Sequence, residues 1–195
     1  GIQHEQQHQE LILTDILHLL AQNPLQPAYR RPVPSDLSLQ SVRTAGSLWR
    51  EHPGGIVAIG ADDDGFSFDN EGPRHRALLQ PFALATRPVS NSEWLTFIAD
   101  DGYSRPELWL SDGWDVVQRR GWTAPLYWSD DHRTRFTLRG PLPIDPAAPV
   151  CHVSFYEADA YARWAEARLP LEAEWETIAA TRPIAGNFLE SNRFD

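Results

Sequence analysis

The chain opens with one strongly patterned helix that proline cuts off. Apolar residues recur at helical spacing as far as Gln22, and Asn23-Pro24 ends the pattern because proline has no N–H and cannot continue a helix. The apolar positions are Ile2, Leu11, Ile12, Ile16, Leu19 and Leu20. The pattern is already under way at Gly1 and the chain contains no Met, so we predict a helix over residues 1–22 within an internal segment of a longer protein.

Residues 23–55 are predicted to connect two domains. They contain five prolines and few signals of regular structure, a composition typical of a connector that lies over a surface. From residue 56 onward, strand-like runs alternate with capped helices. Strands are predicted over residues 55–60 and 76–86, and the second is interrupted by Pro81 because proline cannot donate a hydrogen bond within a sheet.

Three helices are predicted within this mixed region. Ser90 with Glu93 and Ser154 with Glu157 match the capping box, in which each side chain accepts a hydrogen bond from the other residue's backbone N–H. The third helix is predicted over residues 172–181, which lie between two prolines. Together with the strands, these helices indicate an α+β fold class.

The sequence between these elements is less regular. Residues 101–149 are rich in Trp, Gly, Asp and Pro, so we predict a long irregular loop that aromatic side chains hold in place. Cys151 follows in an apolar run and is predicted to be a small buried residue. The basic cluster at residues 74–76 is predicted to form ion pairs within a loop.

Composition excludes several functional classes. The net charge of −10 argues against nucleic acid or an anionic membrane as the main partner, and no apolar run is long enough to span a bilayer. All 17 basic residues are Arg, which excludes a Schiff-base lysine and a P-loop lysine within this chain. The single Cys excludes an internal disulfide framework and fits a reducing compartment, so we expect a cytoplasmic protein.

The most informative local feature is His4-Glu-Gln-Gln-His8. Two histidines four apart lie about 40° apart around a helix and one turn apart along it, so both imidazoles can reach one metal ion, and spacing alone does not say which. A solvated or packed histidine pair is the simple alternative. The string also matches the zinc-protease pattern with Glu5 as general base, but Leu11 and Thr14 occupy positions where one subclass needs Gly and His.

A third metal ligand is not found close to the pair in the sequence. Glu10 points about 200° away from His8 around the helix, and Asp15 lies seven residues or roughly 10 Å further along it. His18 is also too far. A third ligand is therefore expected to come from another helix, and none is left upstream of this one in the given sequence.

Several stretches resemble ergothioneine-biosynthesis sulfoxide synthases (hercynine oxygenases) of the EgtB type. Residues 4–10 and 23–29 resemble the end of the DinB-like domain of that family, and residues 66–75 and 106–114 are similar to later parts of it. Residues 151–158 and 168–176 are similar to the first part of a formylglycine-generating-enzyme (sulfatase-modifying factor) domain.

The resemblance implies two partial domains. Residues 1–22 are expected to be the C-terminal helix of a DinB-like four-helix bundle that binds iron, and residues 23–55 the Pro-rich connector. Residues 56–195 are expected to be the N-terminal part of a truncated formylglycine-generating-enzyme-like domain, which has a C-type-lectin-like fold. A true formylglycine generator needs a catalytic Cys pair, and the single Cys151 gives that activity no support.

The resemblance also implies a chemistry. The full-length protein is expected to use Fe(II) and O₂ to join a thiol, γ-glutamylcysteine or cysteine, to the imidazole of hercynine. His4 and His8 match two of the family's three iron ligands, and Gln7 matches the position that binds the substrate imidazole. The family's catalytic Tyr is expected beyond residue 195, so the catalytic residue stays unknown and this segment alone is expected to be inactive.

The sequence leaves several alternatives open. The four internal tyrosines with possible roles are interpreted as packing aromatics; they are Tyr103, Tyr127, Tyr156 and Tyr161. The acceptor could instead be histidine, as in an ovothiol route, or the donor could contain selenium. From a different class, a non-catalytic lectin-like binding module with a vestigial histidine pair is the main rival, and a zinc peptidase follows. The thiol donor and the oligomeric state are left open.

Overall fold

The structure is a computed structural model that describes residues 1–31, 48–62, 65–186 and 188. Contacts divide the chain into two compact units. The first unit combines Gly1–Gly46 with Pro88–Arg168, and the second combines Ser47–Arg87 with Leu169–Asp195. Residues 32–47 of the predicted connector and the last residues of the predicted second domain lie outside the described residues.

Helices and strands are mixed along the chain, as the sequence predicts. The helices are α1 (Ile2–Ala21), α2 (Asn91–Ala99), α3 (Ser111–Arg120), α4 (Phe155–Trp164) and α5 (Glu172–Ala179). The strands are β1 (Trp49–His52), β2 (Gly55–Ile59), β3 (His75–Leu79), β4 (Phe82–Ala85), β5 (Thr134–Thr137) and β6 (Gly140–Pro143). Short 3₁₀ turns lie at Asp69–Glu71, Gly102–Ser104 and Pro106–Leu108. The α+β class is therefore confirmed.

The strands of the described residues form three antiparallel pairs. In the second unit, β1 pairs with β4 and β2 pairs with β3, and in the first unit β5 pairs with β6. The predicted strand over residues 76–86 is present as β3 and β4, which part at Pro81 as expected. Helix α5 contacts β2 and β3, and Gly60 N–H at the end of β2 donates a 2.6 Å hydrogen bond to Glu176 Oε1.

The core of the first unit is built from aromatic side chains. Trp94 and Phe97 on α2 are almost completely buried, and the indole of Trp94 stacks on Tyr161 of α4 at 4.9 Å between ring centroids. Gly102 lies directly against the ring of Phe97, so no larger residue fits there. The buried residues of this cluster are Trp94, Phe97, Tyr103, Leu108, Trp109, Val117 and Ala160. These rings bury the large apolar area that holds α2, α4 and the intervening loops together.

Both predicted capping boxes are present. Ser90 N–H donates to Glu93 Oε2 at 2.8 Å, and Glu93 N–H donates back to the Ser90 hydroxyl at 3.4 Å. Ser154 and Glu157 make the same pair of bonds at 2.7 and 3.2 Å. The third predicted helix is present as α5, although it ends at Ala179 rather than at residue 181.

Three expectations are corrected by the structure. Residues 101–149 are not irregular throughout, because they contain α3 and the β5–β6 hairpin. Helix α3 ends at Arg120, and Gly121 follows it with a left-handed φ of 63°, a conformation that glycine commonly adopts just after a helix. Strand β1 lies within the predicted connector, where its pairing with β4 supplies order that local composition does not. Cys151 is exposed rather than buried, because residues 150–151 lie outside any strand.

Candidate metal centre

Helix α1 carries the predicted metal ligands and is largely uncovered. It is 20 residues long, and among its residues, all of which the structure describes, only Leu17 is buried. Leu11 and Ile12 are each 55% exposed and Leu19 is 69% exposed. A helix with this many apolar residues normally buries an apolar stripe, so most of its apolar surface has no partner among the described residues.

The structure brings His4 and His8 together as predicted. Their ring centroids lie 4.5 Å apart with an angle of 75° between the ring planes, and both side chains are exposed. Imidazole nitrogens bind zinc and similar ions at about 2.1 Å, so two rings that hold one ion at roughly 90° have centroids about 4.5 Å apart. This centroid distance allows both rings to bind one ion, and it is equally the distance of two imidazoles in edge-on contact.

The histidine pair lies on the uncovered side of α1. At about 100° per residue, Leu11 and Leu19 fall within roughly 60° of His4 around the helix axis, whereas Leu17 falls on the opposite side. The two histidines thus lie among exposed apolar side chains on this face of the helix. Such a combination is typical of a site inside a helical bundle, where ligands project from facing helices.

A complete metal site is not formed by the described residues. Within residues 1–31, 48–62 and 65–186, no three His, Cys, Asp or Glu side chains come close enough to hold one ion. The structure thus supplies no third donor for a zinc peptidase, and none for an iron site. The chemistry of the pair nevertheless fits a divalent transition metal, because neutral imidazoles bind zinc, copper, iron and nickel.

Gln7 and Glu5 flank the pair on α1. Both side chains are exposed, and Gln7 lies about 60° from His4 around the helix, on the side away from His8. An exposed amide at this position can donate to one group and accept from another. The position of Gln7 is compatible with a contact to a ligand held beside the histidines.

The far end of α1 carries a contact that sequence reasoning missed. His18 Nδ1 lies 3.0 Å from the hydroxyl of Tyr127, although 109 positions separate the two residues. The ring of Tyr127 also packs edge-on against His152, with centroids 4.9 Å apart. Burial raises the pKa of Tyr127, while burial and then the nearby Arg135 charge lower the pKa of His152. No local pattern signals this cluster, because it joins three separate segments.

The remaining internal tyrosines pack in the core, as predicted. Tyr103 is buried and its hydroxyl donates a 2.6 Å hydrogen bond to Glu157 Oε1. Burial, followed by the Glu157 charge, raises the pKa of Tyr103 far above its usual range. Tyr156 and Tyr161 are partly buried beside the same cluster. Tyr103, Tyr156 and Tyr161 therefore have packing roles in this unit.

The basic cluster at residues 74–76 is partly ion-paired. Arg74 Nε lies 3.2 Å from Asp62 Oδ1, and its guanidinium also donates to Gly60 O at 3.0 Å. His75 and Arg76 lie in β3 rather than in a loop, because they pair with Ile59 and Ala58 of β2. Both partners of the Arg74 ion pair are about half exposed or more, so the pair contributes little to stability.

Comparisons with known proteins agree with the family resemblance seen in the sequence. The sequence model of the sulfatase-modifying factor enzyme 1-like domain matches residues 48–195. The chain is 40% identical to a hercynine oxygenase of Mycolicibacterium smegmatis over 188 residues, which cover 95% of the chain and 42% of that relative. It is 42% identical to a hercynine oxygenase of Mycobacterium tuberculosis over 132 residues, covering 68% of the chain and 31% of the relative.

A third relative extends the same pattern. The hercynine oxygenase of Mycolicibacterium thermoresistibile is 37% identical over 186 residues, which are 95% of the chain and 40% of that protein. The chain thus spans about two fifths or less of the length of these curated relatives. Among the residues that the structure describes, no helix has the length and apolar character needed to cross a membrane.

Proposed function

This chain belongs to the sulfatase-modifying factor enzyme 1-like family and is a homologue of the hercynine oxygenases, and from that membership we propose that the full-length protein is a sulfoxide synthase of ergothioneine biosynthesis. The observation that supports this most directly is the His4–His8 pair, with 4.5 Å between ring centroids on the open side of α1. The relatives span more than twice the length of this chain, and the remaining parts of the site are proposed to lie in sequence outside it.

His4 and His8 would hold an Fe(II) ion as two of its ligands. Both imidazoles act as neutral donors, and the third ligand is proposed to come from another helix of the full-length protein. When bound, Fe(II) supplies the redox chemistry with O₂ that joins the thiol sulfur to an imidazole carbon. The overall reaction consumes one thiol, one imidazole C–H and one O₂, and yields a sulfoxide and one water. The atoms therefore balance without a further reductant.

Gln7 is proposed to bind the imidazole of the substrate. Its side-chain amide can donate to one ring nitrogen or accept from the other, and on α1 it would lie near an ion held by His4 and His8. Such a contact orients the imidazole ring relative to the bound metal and excludes other ring orientations. Hercynine is the proposed acceptor, and γ-glutamylcysteine or cysteine is the proposed thiol.

The exposed face of α1 supports the proposed DinB-like bundle. Leu11 and Leu19 flank the histidines and would be covered by other helices, which would also bring the third ligand and exclude water from the ion. In this arrangement residues 1–22 end the bundle and residues 23–55 connect it to the second domain at residue 56. The family match from residue 48 and strand β1 suggest that the second domain starts slightly earlier. A cytoplasmic location remains part of the proposal.

The decisive experiment uses the full-length protein prepared without oxygen. Fe(II) binding is measured for the native protein and for the His4→Ala and His8→Ala variants, with His75→Ala on β3 as a matched control. Hercynine, γ-glutamylcysteine and O₂ are then added, and the sulfoxide is sought by mass spectrometry. We expect one iron per chain and product in the native protein and the control, and neither in the two variants.

Other outcomes separate the alternatives. Tight iron without product would overturn hercynine and γ-glutamylcysteine as the substrate pair and direct the search to histidine, cysteine or selenium compounds. Absence of iron binding in the native protein would overturn the metalloenzyme and leave a non-catalytic binding module.

A further inference from the structure

The helix of His4 and His8 is attached to its unit near the opposite end. Tyr127 holds His18 through the 3.0 Å contact between its hydroxyl and the imidazole Nδ1. Because His18 is ten residues beyond His8, this contact lies about 15 Å along the helix from the pair. The one buried residue of α1, Leu17, is next to it. The helix is therefore held at its last turns, while most side chains of its first turns are exposed.

The segment after α1 is also held close to this point. Arg30 N–H donates a 2.9 Å hydrogen bond to Leu138 O in the turn between β5 and β6. Ala28 Cβ would lie 3.5 Å from a Cβ added at Gly140, so the two backbones run close together. These contacts follow the helix but do not determine its rotation, because they involve the chain beyond its end. Near this end of α1, Leu17 is buried, Ile16 and Leu20 are half-buried, and the exposed His18 makes the hydrogen bond to Tyr127.

Tyr127 adopts a backbone conformation that a bulky residue rarely takes. Its φ is 74°, in the left-handed region where the Cβ is crowded. Its carbonyl accepts a 2.8 Å hydrogen bond from Phe136 N–H of β5, which holds the strained residue to the hairpin. Conformations of this kind persist only where the surroundings enforce them, and they concentrate at functional positions.

His152 packs against Tyr127 and has a similar backbone conformation. It also has a left-handed backbone, with φ of 61°, and its carbonyl accepts a 3.2 Å hydrogen bond from Leu126 N–H. Its ring meets the ring of Tyr127 edge-on at an angle of 75°. The two neighbouring strained residues thus restrict the ring of Tyr127, and the hydroxyl is held towards His18.

We infer that Tyr127 is a positioning residue that sets the direction of the His4–His8 helix through its hydrogen bond to His18. Leu17 supplies apolar contact, which tolerates sliding and rotation, whereas the hydrogen bond specifies one orientation. The inference rests on the proposed function in so far as the helix carries the metal. It extends that function by assigning the placement of the proposed metal relative to the rest of the first unit to one side-chain pair.

The test compares Tyr127→Phe with Tyr103→Phe in the full-length protein. Both variants lose one buried or partly buried hydroxyl from the first unit, but only Tyr127 contacts α1. Amide hydrogen exchange of α1 is measured by mass spectrometry. We expect residues 14–21 to exchange about twofold to tenfold faster in Tyr127→Phe, the equivalent of one ordinary hydrogen bond, and to be unchanged in Tyr103→Phe.

The same variants are then tested for iron and turnover. We expect Tyr127→Phe to keep one iron per chain while its kcat/KM falls by about twofold to tenfold. His18→Leu should reproduce both effects, and His18→Asn should restore both, because the asparagine amide can occupy the place of Nδ1. His18→Leu also provides the test if Tyr127→Phe does not fold.

The outcomes separate this inference from the proposed function. Unchanged exchange of α1 in both Tyr127→Phe and His18→Leu would overturn the positioning role, whatever the protein catalyses. Equal effects of Tyr127→Phe and Tyr103→Phe would overturn it as well, because they would show general destabilisation. Loss of iron binding in the native protein would overturn the proposed function but would leave the exchange result interpretable.

Discussion

The hydroxyl of Tyr103 donates a 2.6 Å hydrogen bond to Glu157 Oε1 in the interior of the first unit, across 54 residues of sequence. The other carboxylate oxygen of Glu157 accepts from Ser154 N–H, so one side chain caps α4 and binds the loop that contains Tyr103. Glu157 is only 3% exposed. A buried carboxylate is tolerated because both of its oxygens have donors.

Substitution of Tyr103 should therefore destabilise the protein. Tyr103→Phe keeps the aromatic ring but leaves one buried oxygen of Glu157 without its donor, and we expect a loss of about 1–3 kcal/mol in the free energy of unfolding. The measurement is thermal unfolding of the full-length protein by calorimetry. Tyr29→Phe, at a side chain that is 54% exposed, is the matched control and should change little. Equal unfolding temperatures for the two variants would contradict the prediction.

Stability should also depend on pH through His152. Burial and the Arg135 charge lower its pKa in the folded state below about 6.5, the ordinary unfolded value, so the folded state binds fewer protons. This contribution is fully present above pH about 6.5 and is lost as pH falls through that value towards the lower folded pKa.

The His152 contribution is measured by a variant series. We expect the unfolding temperature of the native protein to rise more between pH 5 and about 7.5 than that of His152→Asn, since asparagine does not titrate and tolerates a left-handed backbone. His132→Asn, at another left-handed position, controls for the substitution itself. A parallel pH profile for the native protein and His152→Asn would refute the prediction.

The apolar side of α1 gives a direct test of the proposed bundle. Leu11 and Leu19 are exposed in the described structure, and alanine at an exposed site normally changes stability by at most about 0.5 kcal/mol. If other helices cover them in the full-length protein, Leu11→Ala and Leu19→Ala should each cost about 2–5 kcal/mol. Thermal unfolding of the full-length variants distinguishes the two cases. Leu25→Ala, at a side chain that is 88% exposed, is the control.

Replacement of Gly113 in helix α3 by alanine should have two opposing effects on stability. Alanine favours a helix interior by about 1 kcal/mol over glycine. A Cβ at Gly113 would, however, lie 2.6 Å from Tyr156 Cβ, and neither atom can move without shifting a helix. We expect the clash to dominate, so that Gly113→Ala lowers the unfolding temperature. A higher unfolding temperature would show that α3 and α4 separate easily.

Local patterns were enough to predict the elements whose stabilising contacts lie close together in sequence. The two Ser–Glu capping boxes depend on residues three apart, and the break at Pro81 depends on one missing N–H, so both predictions are confirmed. The closeness of His4 and His8 follows in the same way from helical geometry. The role of the pair in binding iron stays a prediction.

Contacts between distant segments were decided by the tertiary structure. Helix α3 and strand β1 were missed because packing and strand pairing stabilise them more than local propensity does. The hydrogen bond of Tyr103 to buried Glu157 joins residues 54 positions apart. The hydrogen bond of Tyr127 to His18 joins residues 109 positions apart, and no sequence periodicity encodes either pair. Helical spacing brought the two histidines together, because hydrogen bonds within a helical turn need only residues that are close in sequence. Long-range packing determined how their helix is held, because contacts between distant segments form only in the completed fold.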